Sequence, residues 1–310
     1  MSGVLKIGTR GSALARWQTD WIRERLARQS VQTEVVVITT QGDAEVDRPL
    51  HELEGTGFFT KGIENALLDG RVDIAVHSLK DLPTTFPPGL MLGAVPERAD
   101  PSDVLVVRDS GVTSIAQLPT GARVGTSSLR RVAQVRYLRS DLEVVALRGN
   151  VPTRVQKVKQ GSDLDAALLA CAGLERLGLS EAIAVRLDPF DVMPAPGQGA
   201  LGIEIRVGDS RAAEALRPLD HRDTARQVEA ERRVLAALGG GCQAPVATYV
   251  EPGKREEGRG KRRLYGRVTA PDGSVQITAS AEFDPENPSA TGTAVADLLR
   301  AQGALELLAR

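Results

Sequence analysis

The stretch Arg123-Val124-Gly125-Thr126-Ser127-Ser128-Leu129-Arg130-Arg131 reads as a short strand, a turn of small residues and the start of a helix running through Leu138. The same order occurs near the N-terminus. There Ile7-Gly8-Thr9-Arg10-Gly11-Ser12 closes a strand over 4–8 and opens a helix over 12–29. Around the first unit the pattern predicts strands at 34–39 and 72–76 and a helix at 62–69; around the second it predicts strands at 142–147 and 165–170. Strand and helix alternating in this way build a mainly parallel sheet, and two units in the same order predict two related α/β lobes. Any βα turn that caps its helix with serine would give a similar local likeness, so these turns alone do not establish a duplication.

The last hundred residues change character. A strand at 201–207 returns the chain to the first lobe, and a helix follows at 224–238. Strands at 246–250, 263–269 and 275–283, the last two joined by the turn signal Pro271-Asp272-Gly273, predict a small antiparallel α+β domain closed by a helix over 290–308. The charged, glycine-rich stretch 251–263 reads as an exposed hairpin loop. The predicted division is 1–98 with 197–218, then 99–196, then 219–310.

Composition excludes several classes of function. With 310 residues and 42% hydrophobic content, the chain has enough apolar material for two or three cores. The N-terminus enters a strand directly and no apolar run approaches ~20 residues, so neither export nor membrane insertion is expected and the cytoplasm fits. Two cysteines, Cys171 and Cys242, in no metal or redox spacing argue against a disulfide framework; His51, His77 and His221 are too scattered for a metal site. A net charge of −1 and 3% aromatic residues leave no basis for nucleic-acid binding. Only seven of the 39 lysines and arginines are lysines, a bias that either carboxylate recognition or a GC-rich genome explains.

Three places carry candidate chemistry. Cys242, in Gly239-Gly240-Gly241-Cys242, follows a helix that the glycines would end, which presents the thiol on a loop; taken alone, an incidental thiol beyond a C-cap is the simpler account. Cys171, inside an apolar run, reads as core. Arg10 and Ser12 on one strand-to-helix turn, and Ser127, Ser128, Arg130 and Arg131 on the other, sit where helix N-termini favour anions, with Arg148, Arg154 and Arg176 nearby in the second lobe. Each arginine alone reads as a solvated charge, but together they predict a cleft that holds a polyanion. Asp81, in Val76-His77-Ser78-Leu79-Lys80-Asp81, lies at the carboxyl end of a strand, the edge where open α/β sheets bind ligands, although capping or pairing with Lys80 would also account for it.

Five strings in order, Val76-His77-Ser78-Leu79-Lys80-Asp81, Gly125-Thr126-Ser127-Ser128-Leu129-Arg130-Arg131, Leu147-Arg148-Gly149-Asn150, Pro196-Gly197-Gln198-Gly199-Ala200 and Gly240-Gly241-Cys242, give a sequence that resembles the porphobilinogen deaminase (hydroxymethylbilane synthase) family along its whole length. The resemblance implies two lobes of the type II periplasmic-binding-protein kind plus a small C-terminal α+β domain with a three-stranded antiparallel sheet. It further implies a monomer acting on porphobilinogen, with a dipyrromethane cofactor attached covalently to Cys242. By the same resemblance Asp81 is the catalytic residue, and Lys80, Thr126, Ser127, Ser128, Arg130 and Arg131 hold the cofactor. Arg10, Ser12, Arg148, Arg154, Arg176 and Gln198 would then bind substrate carboxylates. One departure is Thr56, where many bacterial members carry lysine, which bears on contacts from a glycine-punctuated lid at 43–60 containing Phe58 and Phe59. The rival reading, a non-catalytic two-lobed anion or solute receptor, explains the lobes and arginines but neither the Gly-Cys loop nor the added third domain.

Overall fold

A computed structural model describes residues 3–40, 42, 60–161, 163–239, 244–252 and 261–309. Cys242, Thr56, Phe58, Phe59 and all of the 43–60 stretch except Thr60 lie outside the described residues. The chain divides into two compact units, Met1–Ala99 with Gly199–Ala225, and Asp100–Gln198 with Arg226–Arg310.

In chain order the elements begin with β1 (Leu5–Thr9), α1 (Ala13–Ala27), β2 (Thr33–Val37), α2 (Lys61–Leu68), β3 (Ile74–Ser78) and β4 (Leu90–Ala94). Next come β5 (Asp103–Val107), β6 (Arg123–Gly125), α3 (Leu129–Leu138), β7 (Glu143–Val145), α4 (Val151–Lys159), β8 (Ala166–Ala170), α5 (Cys171–Arg176) and β9 (Val185–Arg186). The chain then forms β10 (Leu201–Arg206), α6 (Ser210–Leu216), α7 (Arg222–Ala237), β11 (Val246–Val250), β12 (Arg263–Thr269), β13 (Gln276–Glu282), α8 (Pro288–Ala301) and α9 (Ala304–Leu308).

The first unit holds a five-stranded sheet in the order β2-β1-β3-β10-β4, in which β10 runs antiparallel to both neighbours and the other adjacent pairs are parallel. Helix α1 starts where expected because the Ser12 side chain accepts a hydrogen bond from the Ala15 amide at 3.3 Å. Its apolar stripe sets Ile22 and Leu26 against Leu5, Ile7, Ile74 and Ile203 of the sheet. Each such fully buried side chain contributes roughly 1.5–3 kcal/mol. On the other side, α2 packs Ile63, Ala66 and Leu67 against Val72 and Ala75, and it also buries one charged residue, Glu64, at a core position.

The second unit repeats this order as β7-β6-β8-β5-β9, with β5 as the antiparallel member. The duplication that the turns only hinted at is thus written in the topology. In each sheet the antiparallel strand is the one laid down as the chain crosses from the opposite lobe, which is the type II periplasmic-binding-protein arrangement the sequence resemblance implied. Strand β5 shows no inside-outside alternation because both faces are covered: Leu105 and Val107 enter one core cluster, Val104 and Val106 another.

The C-terminal sheet has the order β11-β12-β13, fully antiparallel, with α7 and α8 packed on it through Val234, Val295 and Leu299. Gly266 of β12 permits the close approach, since a Cβ there would come within 2.7 Å of Val295. The helix expected as one piece over 290–308 is broken into α8 and α9. Gly303 takes φ of 88°, a left-handed value that ends α8 and starts α9. In this unit Arg267 of β12 donates to Gln134 of α3 at 3.1 Å and to the Phe190 carbonyl at 2.8 Å, so the antiparallel sheet and the middle lobe share one body.

Candidate active site

In the first unit, β3 carries a buried run from Ile74 to His77, then Ser78 and a 3₁₀ turn, Leu79–Asp81. Leu79 anchors the turn: its side chain is fully buried and its amide donates to the Ala200 carbonyl at 3.0 Å. The turn therefore leaves Lys80 half-buried and Asp81 exposed. From the β1–α1 turn come Arg10, half-buried, and Ser12. Arg10, Ser12, Gln18, Thr60, His77, Ser78 and Asp81 line one cavity, so Asp81 meets Arg10 and Ser12, picked from a turn far earlier in the sequence, on one spot. Gln18 donates to Ser78 Oγ at 2.9 Å and fixes that hydroxyl at the wall. Gln18, Ser78, Thr60 and His77 were not singled out from sequence. A polar residue at a helix position otherwise facing the core, as Gln18 is in α1, was the available signal.

In the second unit the 126–128 turn is stapled to the segment before Arg148. Ser127 Oγ donates to the Leu147 carbonyl at 2.9 Å and accepts from the Leu147 amide at 3.1 Å. The buried Thr126 hydroxyl accepts from the Ser128 amide at 3.3 Å, and Ser128 occupies the N-cap of α3 without a side-chain cap bond. Beyond Arg148, Gly149 takes φ of 111°, Asn150 caps α4 by accepting from Thr153, and Arg154 Nε donates to the Gly149 carbonyl at 2.7 Å. Arg176 ends α5, where burial pushes its guanidinium down to about 10 against the opposing charge of Glu175.

Arg130 and Arg131 stand differently from the expectation of cations held out to a ligand. Both are buried on the inner face of α3, and both bind Asp103 at the head of β5: Arg130 Nη2 to Oδ2 at 2.7 Å, Arg131 Nη2 and Nε to Oδ1 at 2.7 and 3.1 Å. The Arg131 guanidinium also donates to the Leu168 carbonyl, and that of Arg130 to the Met193 carbonyl. Gln198 joins the same carboxylate, its Nε2 donating to Asp103 Oδ1 and to the Pro101 carbonyl, each at 2.8 Å. Against the burial that raises it, the two guanidiniums hold the Asp103 carboxyl well below the usual carboxylate range. Asp103, a lone acid opening an apolar strand, is the residue that sequence reading missed. Its partners follow at positions 130, 131 and 198, too far along the chain for any local pattern.

Of the two cysteines, Cys171 is buried and its thiol is pushed up to about 12 by burial and by the neighbouring Asp100 and Glu175, which makes it inert as a nucleophile. Helix α7 does end before the glycines, with Gly239 at φ of 70°.

The profile described as "Porphobilinogen deaminase, dipyromethane cofactor binding domain" matches residues 5–214, and that of "Porphobilinogen deaminase, C-terminal domain" matches residues 225–301. Relatives named porphobilinogen deaminase include one from Syntrophotalea carbinolica, 45% identical over 99% of this chain and 96% of its own length. Another, from Paraburkholderia phytofirmans, is 47% identical over 98% of this chain and 88% of its own. Among solved structures, a nutrient binding protein from Burkholderia cenocepacia bound to methionine superposes with a TM-score of 0.43 at 12% identity, covering 69% of this chain and 90% of that one. With both family domains matched in order and this degree of identity along nearly its whole length, the chain belongs to the porphobilinogen deaminase family.

Proposed function

We propose that the chain is a transferase, hydroxymethylbilane synthase, that joins four porphobilinogens head-to-tail with loss of ammonia into hydroxymethylbilane on a covalently bound dipyrromethane primer. The observation that carries the reading is the first-unit cavity, where the carboxylate of Asp81 shares a wall with Arg10 and Ser12 in a chain whose family is known. A simple anion receptor has use for the arginine but none for an acid on the same wall.

The donor set fits a cofactor that bears carboxylates. Thr126, Ser127 and Ser128 supply hydroxyls on one turn, and the buried Nε of Arg130 has no hydrogen-bond partner within the protein. These residues, with Lys80 and Arg131, would hold the group, and Cys242 would anchor it through sulfur. When bound, dipyrromethane supplies the nucleophilic pyrrole carbon from which the product grows.

The protein's own residues do the rest. Arg10, Ser12, Arg148, Arg154, Arg176 and Gln198 pair with the acetate and propionate of the incoming porphobilinogen, each charge-assisted bond contributing about 1.5–3 kcal/mol. Asp81 faces the positive charge that develops as ammonia departs, and it is the base placed to receive the proton the pyrrole then loses. We take residues 219–310 as the domain that carries Cys242. We take the enzyme to act as a monomer in the cytoplasm, on a small molecule, without nucleic acid or membrane; among the described residues no helix is long and apolar enough to cross a membrane. Intact mass tests the reading: wild type should carry the added mass of two pyrrole units and Cys242→Ser should not. Equal mass gain in the serine variant would move the attachment elsewhere.

A further inference from the structure

Behind the Asp81 cavity lies a second group of titratable residues that the reaction as described does not use. His77 of β3 and Glu204 of β10 stand diagonally on one face of the sheet, since Gly202 pairs with His77 and Glu204 with Ala75. His77 Nε2 lies 2.9 Å from Glu204 Oε2 with both side chains buried, a close polar contact rather than an aligned hydrogen bond. Glu204 Oε1 and the Glu64 Oε1 atom from α2 are buried with no hydrogen-bond partner. The cavity wall connects this group to the site, because His77 and Thr60, the N-cap residue of α2, line it together with Asp81 and Arg10.

Two carboxylates and one imidazole in the interior of a sheet are costly unless their charges compensate, so a role that repays burial is expected of them. We propose that Glu64, Glu204 and His77 are positioning residues for the condensations at Asp81, and that their summed charge sets the potential on the cavity floor against which the cationic transition state develops. The inference rests on the function proposed above. The charge of ionised Glu64 favours the developing cation, whereas its protonation withdraws that charge, and neither effect requires the trio to touch substrate.

The charged groups around His77 are Glu204 from β10, Glu64 from α2, Arg10 from the β1–α1 turn and Asp81 beyond β3, and Lys61 of α2 acts on Glu64. Burial raises the Glu64 carboxyl above its ordinary range and Glu204 adds to the rise, while Thr60, His77 and Lys61 pull it back. Glu64 is therefore ionised only above its raised value, and the rate contributed by its charge is lost as pH falls through that value. Removing Glu204 takes away a raising influence, and removing His77 takes away a lowering one. The two variants thus displace the same limb in opposite directions, which loss of packing would not do.

The experiment compares cofactor-loaded wild type, Glu204→Gln, His77→Gln and Glu64→Gln. Single-turnover ammonia release from porphobilinogen is measured across pH, alongside the infrared carbonyl band of a protonated buried carboxyl, assigned by its loss in Glu64→Gln. The expected result is that the band midpoint and the acid limb of the rate move together, down in Glu204→Gln and up in His77→Gln, each by roughly one pH unit. In Glu64→Gln that limb should vanish. Limbs that stay at the wild-type position, or that move the same way in both variants, would overturn the proposal. Absence of ammonia release from wild type would instead sink the function reading, and the infrared midpoints would still decide whether the three residues share charge.

Discussion

Replacing Asp103 with asparagine keeps the shape of the side chain but strips the charge that two buried guanidiniums depend on. Arg130 and Arg131 are 4% and 5% exposed, and Asp103 is fully buried, so no water stands ready to take over. Breaking a buried pair by removing one partner costs about 3–5 kcal/mol, and here a single carboxylate serves two cations and Gln198. With a urea m-value of about 2 kcal/mol/M, the midpoint should fall by about 2 M. The sequence supplies a way to see where the loss falls: both tryptophans, Trp17 and Trp21, belong to the first unit, and all three tyrosines, Tyr137, Tyr249 and Tyr265, to the second. Asp103→Asn should lower the tyrosine near-ultraviolet midpoint by the full amount and the tryptophan fluorescence midpoint by less. Folding depresses the Asp103 ionisation, so its share of stability is complete above the ordinary carboxylate value of 3.8 and is lost only as pH falls toward the depressed folded value. Acid unfolding reported by tyrosine should therefore lose that component in the variant. A tyrosine midpoint within about 0.3 M of wild type would refute the reasoning, because the two arginines would then be stable without their acid.

The remaining predictions concern the reaction itself. Asp81→Ala should load the primer normally but lose nearly all ammonia release, while Asp81→Glu should keep a slow rate, since a misplacement of ~1 Å costs ~100-fold; near-wild-type single turnovers in Asp81→Ala and Asp81→Asn would return Asp81 to a capping role. Arg10→Leu should show the cofactor in its intact mass yet slow elongation by roughly 10- to 150-fold, the equivalent of one charge-assisted bond, and a mass without cofactor would assign Arg10 to the primer instead. Arg130→Leu should fail to load cofactor and also lower the tyrosine midpoint, whereas Arg148→Leu should leave that midpoint unchanged; loss of stability in Arg148→Leu would mark it as a structural cation.

What the sequence determined by itself is local. Serine before an apolar stripe placed the start of α1, the 125–131 string placed the β6–α3 turn, and alternation placed β11, β12 and β13, because caps and periodicities act over a few residues. The five ordered strings added the family and its cofactor and pointed to Asp81, while the first strand-to-helix turn offered Arg10 and Ser12, which share a cavity with it. Tertiary structure alone decided which polar groups meet inside. Asp103 finds partners at 130, 131 and 198, and His77 finds Glu204, since the sheet order inserts β5 and β10 as antiparallel strands beside strands distant in the chain. It also decided that Arg130 and Arg131 meet an internal acid, and that β5, buried on both faces, carries no alternation to be read. A buried charge is satisfied by whatever packing brings within about 3 Å, and that neighbour is set by topology rather than by the residues on either side.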